Sequence, residues 1–298
     1  MAWYPSDKSE ACLFRNDAGF PYESFPCLYP GTLGKTYYDW ESSYDPVRVR
    51  DWMVNNPWCP ILAITLYGVF IWLGKAYFHG RPAWNWRNSM ALWNLGLSVF
   101  SAIGFIRTAP QLVHNLFNYG LTENLCFDPE SHFGSGATGF WVQMFCLSKI
   151  PELIDTFFIV IHKKPLIFLH WYHHISVLLY CWHAYVTKAP AGLFFVTMNY
   201  GVHAIMYFYY FLMAVKLKPK WFNSIWITVS QISQMVVGVT VTALGFVLPS
   251  RYATECAIKP ENNAAALIMY GSYLLLFVQF FIQRYQVKGG KPKSLKKE

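Results

Sequence analysis

The chain has 298 residues, of which 54% are hydrophobic, 19% aromatic and only 13% charged, whereas soluble domains carry roughly 25% charged residues. Its formal net charge of +8 comes mainly from basic residues that lie between apolar segments, as in the cytoplasmic loops of membrane proteins. This distribution argues against a nucleic-acid-binding protein, which needs a basic and solvated surface. The composition therefore indicates an integral membrane protein.

Residues 1–57 form a polar N-terminal arm that precedes the first apolar segment. The arm is rich in proline, serine and acidic residues, and it lacks the basic start and short apolar core of a signal peptide. Segments of this composition bury little apolar surface, so we expect an extramembrane arm that is partly disordered. At the other end of the chain, residues 288–298 form a short basic tail.

Seven apolar segments follow the arm within residues 58–287. Each approaches the roughly 20 residues that a transmembrane helix requires, and together they predict an all-α membrane domain with seven transmembrane helices. The second segment is the weakest because it contains Arg107, so six spans is the alternative count. The segments lie at about 59–78, 90–110, 139–161, 166–186, 191–214, 223–248 and 264–285.

The charges of the loops predict the direction of the chain. The first, third and fifth loops and the tail carry most of the lysines and arginines, and basic loops stay on the cytoplasmic side. The arm and the even-numbered loops then lie on the far side. Cys126 and Cys256 both fall there, where an oxidising lumen permits a disulfide; two unpaired thiols are the alternative. The basic residues of the odd loops are Arg81, Arg87, Lys163, Lys164, Lys216, Lys218 and Lys220.

The fourth apolar segment contains the sequence HWYHH, with histidines at positions 170, 173 and 174. Residues three and four apart share one face of a helix, so the three imidazoles form one stripe. Polar, protonatable rings are costly inside a membrane and mark functional sites there. A single histidine is more often a packing residue, but three on one stripe indicate chemistry.

The third segment contains SKIPELIDT, in which Lys149, Glu152 and Asp155 are spaced by three. On a continuous helix they form a slanted polar ridge whose members pair with one another inside the bundle. A purely structural ion-pair network is the alternative interpretation. Pro151 is expected to bend the helix at this point.

The fifth and sixth segments add further polar groups at helical spacing. In MNYGVHAIMYFYY, Asn199, His203 and Tyr207 are each four apart and share one face. In TVSQISQ, Thr228 is followed by Gln231 and Gln234 at intervals of three, and we assign Gln234 to hydrogen bonding between helices. Four adjacent spans thus present polar groups that can face inward, as in a buried reaction chamber or a conduction path.

Three classes of function use such a chamber. Di-iron membrane desaturases and hydroxylases also contain HxxHH, but this chain has only one such box, so two irons would lack ligands and no metal is expected. A seven-helix receptor or proton-coupled transporter suits the topology, which is weak evidence of function. In acyl transfer, a neutral imidazole attacks a thioester, and a dry chamber protects the acyl-imidazole from hydrolysis.

Four motifs together resemble those of the very-long-chain fatty acid elongases. They are KIPELIDT for KxxExxDT, HWYHH for HxxHH, NYGVHAIMYFYY for NxxxHxxMYxYY and TVSQISQ for TxxQxxQ, in the family's order between about 140 and 240. The helical plan extends the resemblance to roughly 60–285. Trp171 and Tyr172, together with FVTMNYGVHA, resemble the branch that prefers saturated and monounsaturated chains.

The resemblance implies a fold in which six helices form an inverted barrel around a narrow acyl tunnel, with a seventh helix outside. It implies decarboxylative condensation of malonyl-CoA with a fatty acyl-CoA to 3-oxoacyl-CoA, carbon dioxide and CoA, with CoA thioesters as substrates and no cofactor. It further implies residence in the endoplasmic reticulum membrane with a luminal N-terminus, and a disulfide between Cys126 and Cys256.

The resemblance also suggests a role for each motif residue. His173 takes the acyl group, His203 and Asn199 stabilise the enolate charge, and His170 and His174 orient His173 or move protons. Partners are the ketoreductase, dehydratase and enoyl reductase of the elongation cycle, and a homodimer is compatible with the family. The residues assigned to shaping the site or binding CoA are Lys149, Glu152, Asp155, Tyr207, Gln231, Lys163, Lys164 and Lys216, although a purely topogenic role suits the last three equally.

Overall fold

A computed structural model describes residues 12–31, 33–251 and 256–286, so the predicted basic tail lies outside the described residues. Within these ranges the secondary structure is helical apart from one antiparallel hairpin of strands β1 (Leu13–Arg15) and β2 (Pro21–Glu23). The helices are α1 (Phe25–Leu28), α2 (Asp39–Ser42), α3 (Val47–Asn55), α4 (Trp58–Phe78), α5 (Arg87–Cys126), α6 (Pro129–His132), α7 (Gly136–Ser148), α8 (Ile154–Ile161), α9 (Phe168–Val186), α10 (Gly192–Ala214), α11 (Ser224–Arg251) and α12 (Pro260–Phe281).

All seven predicted apolar segments are helical. Among the described residues, four helices are long and apolar enough to cross a membrane: α4, α5, α11 and α12. The third segment is divided between α7 and α8, and α9 and α10 carry the polar motif residues. The chain is therefore an all-α multi-pass membrane protein, and the count of seven spans stays a prediction.

Helices α5 and α10 pack closely along an extensive interface. Gly104 of α5 lies against the ring of Tyr200, and a side chain at position 104 would collide with that ring. The Tyr200 hydroxyl donates to the carbonyl of Trp141 on α7 at 2.9 Å. A fully buried phenol needs room for its ring and an acceptor for its hydroxyl. Gly104 on α5 leaves the room and Trp141 on α7 supplies the acceptor, so Tyr200 fixes α5, α7 and α10 against one another.

Successive loops lie alternately at the two ends of the bundle. At one end, called the loop end, the Lys163 ammonium donates to the carbonyls of His79 and Arg81, and the Arg87 guanidinium donates to the carbonyl of Ala214. At the other end, called the arm end, Arg50 of the arm pairs with Glu130 in the second loop, and Glu130 also pairs with Lys188 in the fourth loop. The side of the membrane that each end faces, which the loop charges predict, stays a prediction.

The described part of the arm is folded against the spans, and partial disorder of the arm as a whole stays a prediction. A disulfide joins Cys12 to Cys27, a pairing that the sequence analysis missed. Glu41 is 1% exposed, and its carboxylate accepts hydrogen bonds from Arg107 on α5 and Trp141 on α7. The arm folds because the spans supply partners for its polar groups, and the same pairing explains the arginine inside the second apolar segment.

A second disulfide joins Cys126, the last residue of α5, to Cys256, just before α12. The resemblance implied this pair. The amide of Ala257 also donates to the Cys126 carbonyl at 2.7 Å. Cys146 and Cys181 are buried free thiols that pack in an apolar cluster.

We expect Glu41→Gln to lower the stability of the protein by about 3 kcal/mol, because it leaves the Arg107 charge buried without a countercharge. Thermal unfolding of the detergent-solubilised protein measures the effect. Asp39→Asn, an exposed position on the same helix, is the control. Equal melting temperatures for the two variants would show that the arm is not anchored by this ion pair.

Candidate active site

A cavity of about 760 Å³ opens among α8, α9, α10 and α11. It brings together nine of the thirteen residues predicted for catalysis and substrate binding, eight of which come from four separate motifs. We call it the histidine cavity. The nine residues are Asp155, Lys164, His170, His173, His174, Asn199, His203, Tyr207 and Gln231.

A narrower cavity of about 90 Å³ continues towards the arm end. Its middle is lined by apolar groups such as Phe145, Val177 and Phe195, and we call it the inner cavity. The two cavities share His173, Asn199, Gln234 and Met235. His173 therefore lies where a polar chamber meets an apolar passage. Gln234, which we had assigned to hydrogen bonding between helices, lines both cavities.

Lys149 and Glu152 form a buried ion pair beside the histidine cavity. The ammonium lies 2.7 Å and 3.0 Å from the two carboxylate oxygens, and the Ser148 hydroxyl donates to the same carboxylate at 2.8 Å. The pair spans a break in the helix, since α7 ends at Ser148 and a 3₁₀ turn of residues Pro151–Leu153 precedes α8. Pro151 thus interrupts the predicted continuous ridge.

Asp155 does not join that pair. Its carboxylate accepts one hydrogen bond from the Trp93 indole and one from the Tyr207 hydroxyl, both at 2.7 Å. His174 Nε2 lies 4.0 Å from the same carboxylate. The predicted ridge is therefore divided. Lys149 and Glu152 form an ion pair, whereas Asp155 is hydrogen-bonded separately and lies next to the histidines.

A chain of hydrogen bonds fixes His170. Its Nε2 lies 2.9 Å from the Thr156 hydroxyl, which lies 2.7 Å from the hydroxyl of Tyr67 on α4. The His170 and His174 rings are 4.5 Å apart between centroids. Two of the three imidazoles thus have defined neighbours on α8, and these contacts restrict how each ring can turn.

The surroundings of His173 differ from those of His170 and His174. Its ring lies 5.1 Å from the ring of Tyr273 on α12, centroid to centroid, and the Tyr273 hydroxyl donates to the His173 carbonyl at 3.3 Å. Ser176 lies 2.7 Å from the same hydroxyl. The backbone at His173 is thus braced from the last helix, while its side chain lines both cavities.

Asn199 and His203 are buried on α10, across the cavity from α9. Asn199 Oδ1 accepts from the Lys149 ammonium at 3.5 Å, and His203 Nδ1 lies 4.0 Å from the Glu152 carboxylate. The buried ion pair therefore sets the local field for both residues. Dipoles and charges fixed in this way can stabilise a negative charge that develops during a reaction.

The loop-end lysines differ in their placement. Lys164 lines the histidine cavity, as does Arg87, whereas Lys163 binds backbone carbonyls of the first loop. Lys163 and Lys216 both have positive φ, of 53° and 62°, directly after helical segments, where left-handed residues end helices. Of Lys163, Lys164 and Lys216, which were predicted to meet CoA phosphates, Lys164 is the one that lines the histidine cavity.

Sequence reasoning missed Tyr67, Trp93, Thr156 and Tyr273 as site residues. Thr156 belongs to a quoted motif, but the three aromatic residues lie in apolar segments whose spacing gives no signal. Within the described ranges, no group of three or more His, Cys, Asp or Glu side chains is arranged to hold a metal ion.

The sequence profile of the ELO (GNS1/SUR4) family matches residues 52–293. The chain belongs to the ELO family. It is similar to very long chain fatty acid elongase 6 of Drosophila melanogaster, with 40% identity over 255 residues, covering 85% of this chain and 80% of the relative. The human protein of the same name is 39% identical over 248 residues, covering 83% and 92%. Fatty acid elongase 3 of Trypanosoma brucei brucei is 37% identical over 280 residues, covering 85% and 92%.

We expect Lys149→Met to cost about 3 kcal/mol of stability, because the Glu152 carboxylate is left buried without its cation. Adding Glu152→Gln should recover part of that loss, since residues in direct contact are energetically coupled. A double-mutant cycle by thermal unfolding measures the coupling. Lys164→Met, at an exposed lysine, controls for loss of charge; additive effects of the two buried substitutions would contradict the pairing.

Proposed function

We propose that the chain elongates fatty acids in the endoplasmic reticulum membrane by condensing malonyl-CoA with a long-chain fatty acyl-CoA. The observation that carries the proposal is the position of His173 where the polar histidine cavity meets the apolar inner cavity. Membership of the ELO family and relatives named as fatty acid elongases support it. The thioester would enter from the loop end and the acyl chain would occupy the inner cavity.

In the first half of the reaction, the His173 imidazole attacks the thioester carbonyl. A nitrogen–carbon bond forms, the carbon–sulfur bond breaks, and CoA leaves as a thiolate that takes up a proton. The acyl-imidazole is hydrolysed readily in water, so its survival needs a site that excludes solvent. His173 is shielded by Tyr273 and by the walls of both cavities.

In the second half, malonyl-CoA loses carbon dioxide and the electron pair of the broken carbon–carbon bond forms an enolate. The enolate carbon attacks the acyl carbon, the bond from that carbon to the imidazole nitrogen breaks, and the imidazole takes up a proton as it leaves, giving 3-oxoacyl-CoA. Asn199 and His203 face this region, and we assign them to stabilising the enolate oxygen. His170, fixed by Thr156, and His174 orient His173 or carry protons.

The fold that fits this chemistry has seven spans, with six helices surrounding the two cavities and α4 outside them. The exposed apolar side chains of α4, such as Leu66, Trp72 and Leu73, support an outer position facing lipid. The arm would then lie in the lumen and the loop end in the cytoplasm. The 3-oxo product requires reduction, dehydration and a second reduction, so the corresponding three enzymes are the expected partners.

We expect His173→Ala to reduce condensation by about a thousandfold or more, because loss of a covalent nucleophile leaves only binding and electrostatic contributions. Release of labelled carbon dioxide from malonyl-CoA measures the reaction. His183→Ala, at an exposed position on the same helix, should retain activity. Full activity of the position-173 variant would refute the proposal.

Incubation with acyl-CoA in the absence of malonyl-CoA separates the covalent route from direct attack. Peptide mass spectrometry should then find an acyl adduct on His173. Condensation with malonyl-CoA but no adduct, even after rapid quenching, would contradict the acyl-imidazole while leaving elongation in place.

We expect Lys164→Ala to raise the KM for malonyl-CoA with little change in kcat, because it removes a cation at the mouth of the histidine cavity that can attract CoA phosphates. Lys163→Ala is the matched control, since that ammonium binds backbone carbonyls instead. Steady-state kinetics at low ionic strength measure both. Equal KM values for the two variants would exclude Lys164 from substrate binding.

A further inference from the structure

The middle of the inner cavity is apolar, and its arm end is lined by charged residues. Arg50 from α3, Glu130 from α6 and Lys188 from the segment after α9 line its arm end. These three residues come from separate parts of the chain, and we call them the floor cluster. Arg50 belongs to the arm and lies two residues before the family match at 52–293 begins.

The floor cluster is held together by charge pairing. The Glu130 carboxylate is 3% exposed, pairs with the Arg50 guanidinium and lies 3.1 Å from the Lys188 ammonium. Arg50 also lies 3.4 Å from Asp51, and the Asp128 carboxylate caps the backbone at Glu130. A carboxylate buried this deeply requires such partners, so the three segments are bound to one another.

Lys188 is fixed in an uncommon conformation. Its φ is +55°, in the left-handed region that favours glycine, and its ammonium lies 4.8 Å from the centre of the Phe20 ring in the arm. Burial lowers the pKa of Lys188 and Arg50 lowers it further, whereas Asp128 and Asp51 raise it. The side chain is therefore held between the arm and the cavity rather than extended into solvent.

The distance from the reacting centre suits the far end of an acyl chain. Helix α9 runs from His173 to Val186 along the inner cavity, which corresponds to about 20 Å at the rise of an α-helix. A methyl terminus that reaches the floor cluster meets paired charges. Separating Glu130 from Arg50 and Lys188 to make room for more methylene groups would cost free energy, so the acyl chain stops at the floor cluster.

We infer that the floor cluster forms the closed end of the acyl site and that Arg50 of the arm sets the longest chain the enzyme accepts. The inference rests on the proposed function, because it assumes that the inner cavity holds the acyl chain. It gives the arm a role in substrate specificity, although the arm lies far from the histidines.

The test compares three variants by kcat/KM with a panel of acyl-CoAs of increasing length and labelled malonyl-CoA. Arg50→Ala should raise kcat/KM for chains longer than the wild-type optimum by about tenfold relative to the optimum, as expected for space gained in an apolar pocket. Ala184→Leu, which fills the inner cavity and keeps the floor cluster, should shift the optimum to shorter chains. Arg48→Ala, an exposed arginine on α3, should leave the profile unchanged.

The outcomes separate this inference from the proposed function. If the wild type condenses no acyl-CoA, the proposed function fails. If the wild type is active and Arg50→Ala keeps its length profile, the inference is overturned. Equal loss of activity at every length in Arg50→Ala would assign Arg50 to stability alone and would also overturn it, whereas opposite shifts in Arg50→Ala and Ala184→Leu would establish it.

Discussion

The candidate site depends on one buried ion pair, Lys149 with Glu152, placed across a break in a helix. Two charges inside an apolar bundle are tolerated only when they are paired and hydrogen-bonded. The break at Pro151 brings the ammonium and the carboxylate together, and Ser148 supplies a further donor. Through this pair the ammonium reaches Asn199 and the carboxylate faces His203, so the position of both residues follows from the same constraint.

The remaining polar groups of the site are also hydrogen-bonded to one another. Asp155 is bound by Trp93 and Tyr207, and His170 by Thr156. Each of these contacts joins different helices or adjacent turns, so the polar groups also hold the helices in register. His173 differs because its neighbours brace its backbone and leave its ring facing both cavities. A fixed frame around one available ring is the arrangement that the proposed nucleophilic role of His173 requires.

The sequence was sufficient to find the residues that repeat at helical spacing, because spacing determines which side chains share a face. That argument located the histidines and the polar face of α10. It was wrong about Lys149, Glu152 and Asp155 as one ridge, because the helix breaks between them. It did not find Tyr67 or Tyr273, since these contacts join segments far apart in sequence. The anchoring of the arm by Glu41 and Arg107 was missed for the same reason, although Arg107 had already weakened its apolar segment.

The anchoring of the arm has a consequence for biogenesis. The ribosome synthesises Glu41 before either of its partners, Arg107 and Trp141, and those partners belong to helices that must first enter the membrane. The disulfide between Cys12 and Cys27 closes within a short stretch of chain and needs no later segment. This disulfide can therefore form before the later segments are made, whereas the Glu41 carboxylate gains its partners only once the third apolar segment has been synthesised. Maturation of this terminus is consequently coupled to membrane integration of the chain that follows it.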